Sequence, residues 1–310
     1  TPVADFLKRS LKGLTGCFIR LSSKLKSVPG NFLSAPRPGS SVRSSRKTPI
    51  LPLPFDYIFY FCGTKENEMT RLSDRINQLS ESQTIRMAKM ARELAAQGVD
   101  VINLSFGEPD FHTPEHIKEA AKKAMDENYT YYTPVSGYPE LRKAIAAKLK
   151  RENGLDYNFD QIVVSTGAKQ ALANAVLCLV NPGDEVIVPT PYWVSYSEMI
   201  KLAEGRAVFI RTTLENDFKI TPEQLEAAIT PASKVFMFSS PNNPTGSVYS
   251  EAELAGLAEV FARYPEIPVI SDEIYEHINF VGKHVSIAHI PGMKDRTAVI
   301  NGFSKSYAMT

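Results

Sequence analysis

From residue 162 onward the chain keeps changing its apolar period. Short apolar runs occupy Ile162–Ser165, Glu185–Pro189, Ala207–Arg211, Val235–Ser239, Ile267–Ser271 and Thr297–Ile300. Each is too brief for a helix, and several are apolar at consecutive positions, which suits a strand covered on both faces. Between them lie stretches whose apolar residues recur at helical spacing. Strands that alternate with helices pair in parallel, because each crossover helix returns the chain to the same end of the sheet. This pattern predicts an α/β fold, a mostly parallel sheet with helices on both faces.

The helical stretches have recognisable ends. Ile85, Ala88, Ala91, Leu94 and Ala95 share one helix face, and Gly98 predicts its stop. Thr113-Pro114 reads as an N-cap followed by a first-turn proline, with Ile117, Ala120, Ala121, Ala124 and Met125 as the stripe behind it. Leu141, Ile145 and Leu149 mark another helix. Ala168–Val180 is apolar nearly all round, which predicts burial. Ser250 and Glu253 form a capping box ahead of Leu254, Leu257, Ala258 and Phe261. Val99–Leu104 reads as one more strand.

Residues 1–68 have a different composition. They carry 11 Lys and Arg against 4 Asp and Glu, whereas the remainder carries 24 against 30. Ser and Pro are frequent, as in APRPGSSVRSSRKTP (Ala35–Pro49), and no period is sustained, so the segment is expected to be disordered. Three readings compete: non-native sequence ahead of a start at Met69, an organelle transit peptide, and a nucleic-acid-binding arm. Ile50–Cys62 is too short and too broken by Pro52, Pro54 and Asp56 to span a membrane. The organisation expected is an N-terminal extension over 1–68 and a cofactor-binding large domain over 69–310. The net charge of +1 gives no push toward nucleic acid or membrane, and neither is expected as a partner. Cys17, Cys62 and Cys178 have no CxxC spacing and the five histidines no ligand pattern, so neither a disulfide framework nor a metal site is expected. A reducing, cytoplasmic location follows, or an organelle if 1–68 is a transit peptide.

In a parallel sheet, ligands sit outside the carboxyl ends of the strands. Those ends lead into TGAKQ (Thr166–Gln170), TPYW (Thr190–Trp193), SPNNPTG (Ser240–Gly246), DEIY (Asp272–Tyr275) and NGFSK (Asn301–Lys305). Taken singly, Gly167-Ala168 is a tight turn, Trp193 packing, Asn243 a turn residue, Asp272 a helix cap and Lys305 a solvated charge. Taken together, they supply a helix N-terminus for a phosphate, a flat aromatic, a carboxylate and an amine. That set suits pyridoxal 5′-phosphate: the amine for its aldehyde, the carboxylate for its pyridine nitrogen, phenol and amide donors for its 3′ oxygen.

The stretches FGEPDF, PYWVSY, SPNNPTG, SDEIYEH and NGFSKSYAMT resemble class I aminotransferases of fold type I, near the aspartate aminotransferase branch. The likeness runs in family order from about Met69 to Thr310. It implies a homodimeric transaminase dependent on pyridoxal 5′-phosphate, acting on an amino acid and a 2-oxo acid, with L-aspartate and 2-oxoglutarate the expected pair. Carried over by residue, Lys305 resembles the Schiff-base lysine and Asp272 the partner of the pyridine nitrogen. Tyr275 and Asn243 match the donors to the 3′ oxygen, Trp193 the aromatic stacked on the ring, and the backbone of Ala168 and Lys169 the phosphate cradle. Gly107 matches the residue whose backbone meets the substrate carboxylate, a region that Trp193 and Asn243 also border. Tyr132, in YYTPVSGYPELR, resembles the tyrosine that reaches the partner subunit's cofactor phosphate.

The likeness stops at Thr310. Family chains continue with a GWR-like stretch and a small C-terminal domain, each contributing an arginine, and neither arginine is present here. The chain is therefore expected to be a fragment lacking that small domain, with little turnover of its own. The alternatives are another amino-acid transaminase, a lyase with the same cofactor and fold, and an inactive fragment with a binding or dimerisation role.

Overall fold

The structure is a computed structural model that describes residues 72–80, 83–104 and 107–310. The expectations for residues 1–68, and Phe106 of FGEPDF, lie outside the described residues. Residues 78–310 form one compact unit.

Five strands make a single sheet: β1 (Glu185–Thr190), β2 (Arg206–Arg211), β3 (Ser233–Ser239), β4 (Val269–Asp272) and β5 (Thr297–Ile300). Their order is β2-β1-β3-β4-β5 and every pairing is parallel. Seven α-helices accompany them among the described residues within 78–310: α1 (Gln83–Ala96), α2 (Glu115–Asp126), α3 (Pro139–Lys148), α4 (Gly167–Leu179), α5 (Ser195–Leu202), α6 (Pro222–Ala228) and α7 (Glu251–Arg263).

Neighbouring strand residues point to opposite faces, and each face has its own core. Ile187, Phe236, Phe238 and Val269 pack with Leu225 of α6 and with Leu254, Leu257 and Phe261 of α7. Val186, Val188, Val235, Met237 and Ile270 pack with Leu172 and Val176 of α4 and with Met199 and Ile200 of α5. Burying each such side chain contributes roughly 1.5–3 kcal/mol, so the two layers hold the sheet between them. This is the predicted fold class. The predicted capping box is present, with Ser250 Oγ accepting from the Glu253 amide, and a second one, Thr221 with Gln224, starts α6.

Several local expectations change. Ile162–Ser165 is not a strand; Val164 N donates to Ser136 O at 3.1 Å and Ile162 packs against the cluster of Leu149, Leu155 and Ala288. Val99–Leu104 forms no strand either, and Ile102 and Leu104 are 85% and 90% exposed. An apolar run becomes a strand only where a neighbouring edge accepts its ladder, and among the described residues neither run has one. The fourth strand starts at Val269, two residues later than predicted, because Pro268 has no N–H to offer; its carbonyl instead accepts from Phe236 N. Thr113 caps no helix, since its hydroxyl donates to Ala308 O at 2.7 Å. The predicted helix over Ala168–Val180 is α4, but it is half-buried: Leu172 and Val176 face the sheet, while Asn174, Leu177 and Cys178 are exposed.

Candidate active site

The chain runs from β1 outward to β2 and then crosses back over β1 to form β3. Connections therefore leave in opposite directions between β1 and β3, which opens a crevice at that point in a parallel sheet. Register sets the depth of the crevice floor. Ser239 pairs with Asp272 and Asp272 with Ile300, so β3, β4 and β5 end at one level. The segments after them, at Ser240, Glu273 and Asn301, emerge side by side.

Asp272 lies at the centre of this edge. It is 4% exposed. Its Oδ2 accepts from the Tyr196 hydroxyl at 2.6 Å and its Oδ1 from the Ile274 amide at 3.3 Å. It forms no ion pair among the described residues. Burial pushes its carboxyl up to about 6, against the pull of those two donors. Beyond it, Asn243 Nδ2 donates to Tyr275 Oη at 3.4 Å. Burial first, and then the Asp272 charge, raise the Tyr275 phenol.

On the other side, Tyr196 meets Trp193 edge to face, with ring centroids 5.8 Å apart. Lys169 Nζ lies 4.7 Å from the centre of the Trp193 ring, and burial lowers the affinity of that amine for its proton. Lys169 and Ala168 stand in the first turn of α4. Gly167 opens that helix at φ +78°, a left-handed conformation, and added bulk there would meet nothing within 4 Å. Conformation, not space, requires the glycine. Lys169, Trp193, Tyr196 and Asp272 thus form one series of contacts, and the hydrogen-bonded pair Asn243 and Tyr275 lies within reach of the Asp272 charge.

Lys305 lies in the segment after β5 and is half-buried. Its Nζ donates to Gly107 O at 3.1 Å. With the Thr113 hydroxyl on Ala308 O, this ties the lysine segment to residues 107–113 at two points. Tyr132 joins none of these contacts and is fully exposed.

Beneath the crevice lies a buried network that the sequence did not reveal. Glu273, 1% exposed, accepts from Ser271 Oγ at 2.8 Å, Ser286 Oγ at 2.6 Å and His284 Nε2 at 2.9 Å. Glu276 accepts from Asn153 Nδ2 at 2.9 Å and pairs with Lys148 at the end of α3. The turn that carries Asp272 and Tyr275 is therefore held at both buried acids. The adjacent Asp-Glu pair was visible in SDEIYEH, but its partners are distant in sequence and only the fold assembles them.

The model of the family described as aminotransferase class I and II matches residues 99–310. The chain belongs to that family. An aspartate/prephenate aminotransferase of Cereibacter sphaeroides is 54% identical over 244 residues, which are 78% of this chain and 61% of the relative. A bifunctional aspartate aminotransferase and glutamate/aspartate-prephenate aminotransferase of Petunia hybrida is 51% identical over 240 residues, 77% of this chain and 50% of the relative. Among solved structures, the aspartate aminotransferase of Rhizobium meliloti is 45% identical with a TM-score of 0.75, covering 78% of this chain and 61% of that one. The Thermus thermophilus aspartate aminotransferase with maleate is 44% identical, also with a TM-score of 0.75, covering 78% and 62%. The chain spans about 61% of the length of the first of these aminotransferases.

The cofactor of this aminotransferase family is pyridoxal 5′-phosphate, and the donor set fits it. Asp272 is a buried carboxylate with a hydrogen-bond donor on each oxygen and no ion-pair partner among the described residues, and a protonated pyridine nitrogen would supply one.

Proposed function

We propose that the whole protein is a transaminase exchanging the amino group of L-aspartate with 2-oxoglutarate. The observation that carries this reading is Asp272, buried at the end of β4 with no ion-pair partner among the described residues, one strand from the segment that bears Lys305. When bound, the cofactor supplies an aldehyde for an amine and a ring that accepts electrons. Asp272 would pair with the protonated ring nitrogen. Tyr275 and Asn243 would serve the 3′ oxygen, Trp193 a ring face, and the α4 N-terminus at Ala168 and Lys169 the phosphate. Lys305 would provide the amine for the aldehyde and a base within reach of the substrate's α-proton. Gly107, which accepts from Lys305 Nζ, places its backbone where the substrate carboxylate would lie.

The acidic substrate is supported by the named relatives, several of them aspartate aminotransferases, and by the dicarboxylate maleate in the Thermus thermophilus structure. A homodimer is the partner reading: Met125, Tyr129, Tyr131, Tyr132 and Val135 are all more than 60% exposed and would be covered by a second copy. The test follows the cofactor's visible absorbance in the whole protein. L-aspartate should bleach it and 2-oxoglutarate restore it. A spectrum unmoved by L-aspartate and by other amino acids would reject transamination.

A further inference from the structure

Tyr196 is placed by two independent sets of contacts. It stands in the first turn of α5, 1% exposed. Its ring packs edge-on against Trp193 and nearly parallel to Tyr192, with centroids 6.4 Å apart. With the ring so held, the hydroxyl donates to Asp272 Oδ2 at 2.6 Å and has the Ser239 hydroxyl as a second neighbour. On the carboxylate side, the Ile274 amide occupies Oδ1. Each oxygen thus has one fixed donor and one free lone-pair direction.

We propose that Tyr196 is the positioning residue of Asp272: its hydroxyl orients the carboxylate and draws off part of its charge, setting how strongly Asp272 holds a cationic ring nitrogen. This rests on Asp272 being the cofactor's partner. The remaining titratable groups facing Asp272 are Glu273 and Tyr275 from its own turn, and Glu273 opposes ionisation. Its register neighbours, Ser239 and Ile300, bring no charge. Lys169 of α4 faces Trp193 instead. Tyr196 is accordingly the strongest donor on the carboxylate. Burial first, and then the adjacent carboxylate, push the Tyr196 phenol's pKa up, so it keeps its proton and donates throughout the working range.

The test uses the cofactor-free 310-residue chain with carboxyl-labelled aspartate. The Asp272 resonance is identified by its loss in Asp272→Asn and followed by NMR against pH. Tyr196→Phe removes only the hydroxyl. The Asp272 midpoint should rise by about 1–2 pH units, the worth of a hydrogen bond to a charged group. A fluorotyrosine placed at 196 keeps ring and hydroxyl but strengthens the donor, so the midpoint should fall. It carries the test if Tyr196→Phe does not fold. A parallel titration measures pyridoxal 5′-phosphate affinity between about pH 5 and 8, where the acid-side loss should move with the carboxyl midpoint in each variant. A tyrosine that serves only packing would lower affinity by one factor at every pH. A carboxyl midpoint within about 0.3 units of wild type in both variants overturns the role of Tyr196. A midpoint that moves while the binding profile stays still overturns instead the assignment of Asp272 to the cofactor.

Discussion

Asp272 is 4% exposed and Tyr132 is 105% exposed, yet the family resemblance assigns both an expected contact with the cofactor. Around Asp272 every group is fixed by its own chain: a phenol on one oxygen, an amide on the other, and Glu273 locked by two serines and His284 below. Around Tyr132 the apolar surface is open. Met125 is 63% exposed and Val135 102%, and α2 buries none of its residues. The surroundings of Asp272 are complete within this chain, and those of Tyr132 are open apolar surface. The difference teaches that the floor around Asp272 is built by the sheet itself, whereas the surface around Tyr132 is left uncovered by the described residues.

The sharpest way to break that comparison is to cut into both regions. Phe261→Ala, beneath the sheet in α7, should cost about 3–5 kcal/mol, read as a shift of the denaturant midpoint at unchanged slope. Met125→Ala on α2 should cost under about 0.5 kcal/mol in the isolated chain. Equal losses would mean that the two regions are equally built.

A second test concerns the floor itself. With burial, Asp272 holds its proton to about pH 6, above the usual carboxylate range. The folded state therefore binds more protons than the unfolded one between about pH 4 and 6, and stability falls as pH rises through that window. Above it, the buried charge costs on the order of 3 kcal/mol in the cofactor-free protein. Asp272→Asn should raise the melting temperature at pH 7 and lose that advantage below about pH 4, while cofactor binding weakens. A variant no more stable than wild type at pH 7 would show that Asp272 is well solvated by its donors.

The smallest effect belongs to the rim. Tyr132→Ala should leave single-chain stability within about 0.5 kcal/mol and weaken cofactor retention in the assembled protein only. Retention lost equally at dilutions that separate the copies would remove the rim from the comparison.

These contrasts also explain what the sequence could and could not reveal. The strands after residue 185 were legible because a doubly covered strand is a continuous apolar run whose residues need no partner to be recognised. The site followed from them, since the residues after β3, β4 and β5 emerge at one level once the sheet is parallel. Ile117, Ala124 and Met125 were legible as a helix stripe, but periodicity states which residues share a face and not what covers it. Tyr196 was in plain view within PYWVSY, and its hydrogen bond still depended on how α5 docks on the sheet. The same holds for Glu273, whose partners His284 and Ser286 follow a loop that no local pattern fixes.

The central claim is that the strand ends converge on a lysine that captures the cofactor. The direct measurement is to load the whole protein with pyridoxal 5′-phosphate, reduce it with borohydride, digest it and locate the label by mass spectrometry. The account predicts a single modified peptide carrying the cofactor on Lys305, and no label above background in Lys305→Ala. Label on Lys169 in place of Lys305, or undiminished label in Lys305→Ala, would contradict it.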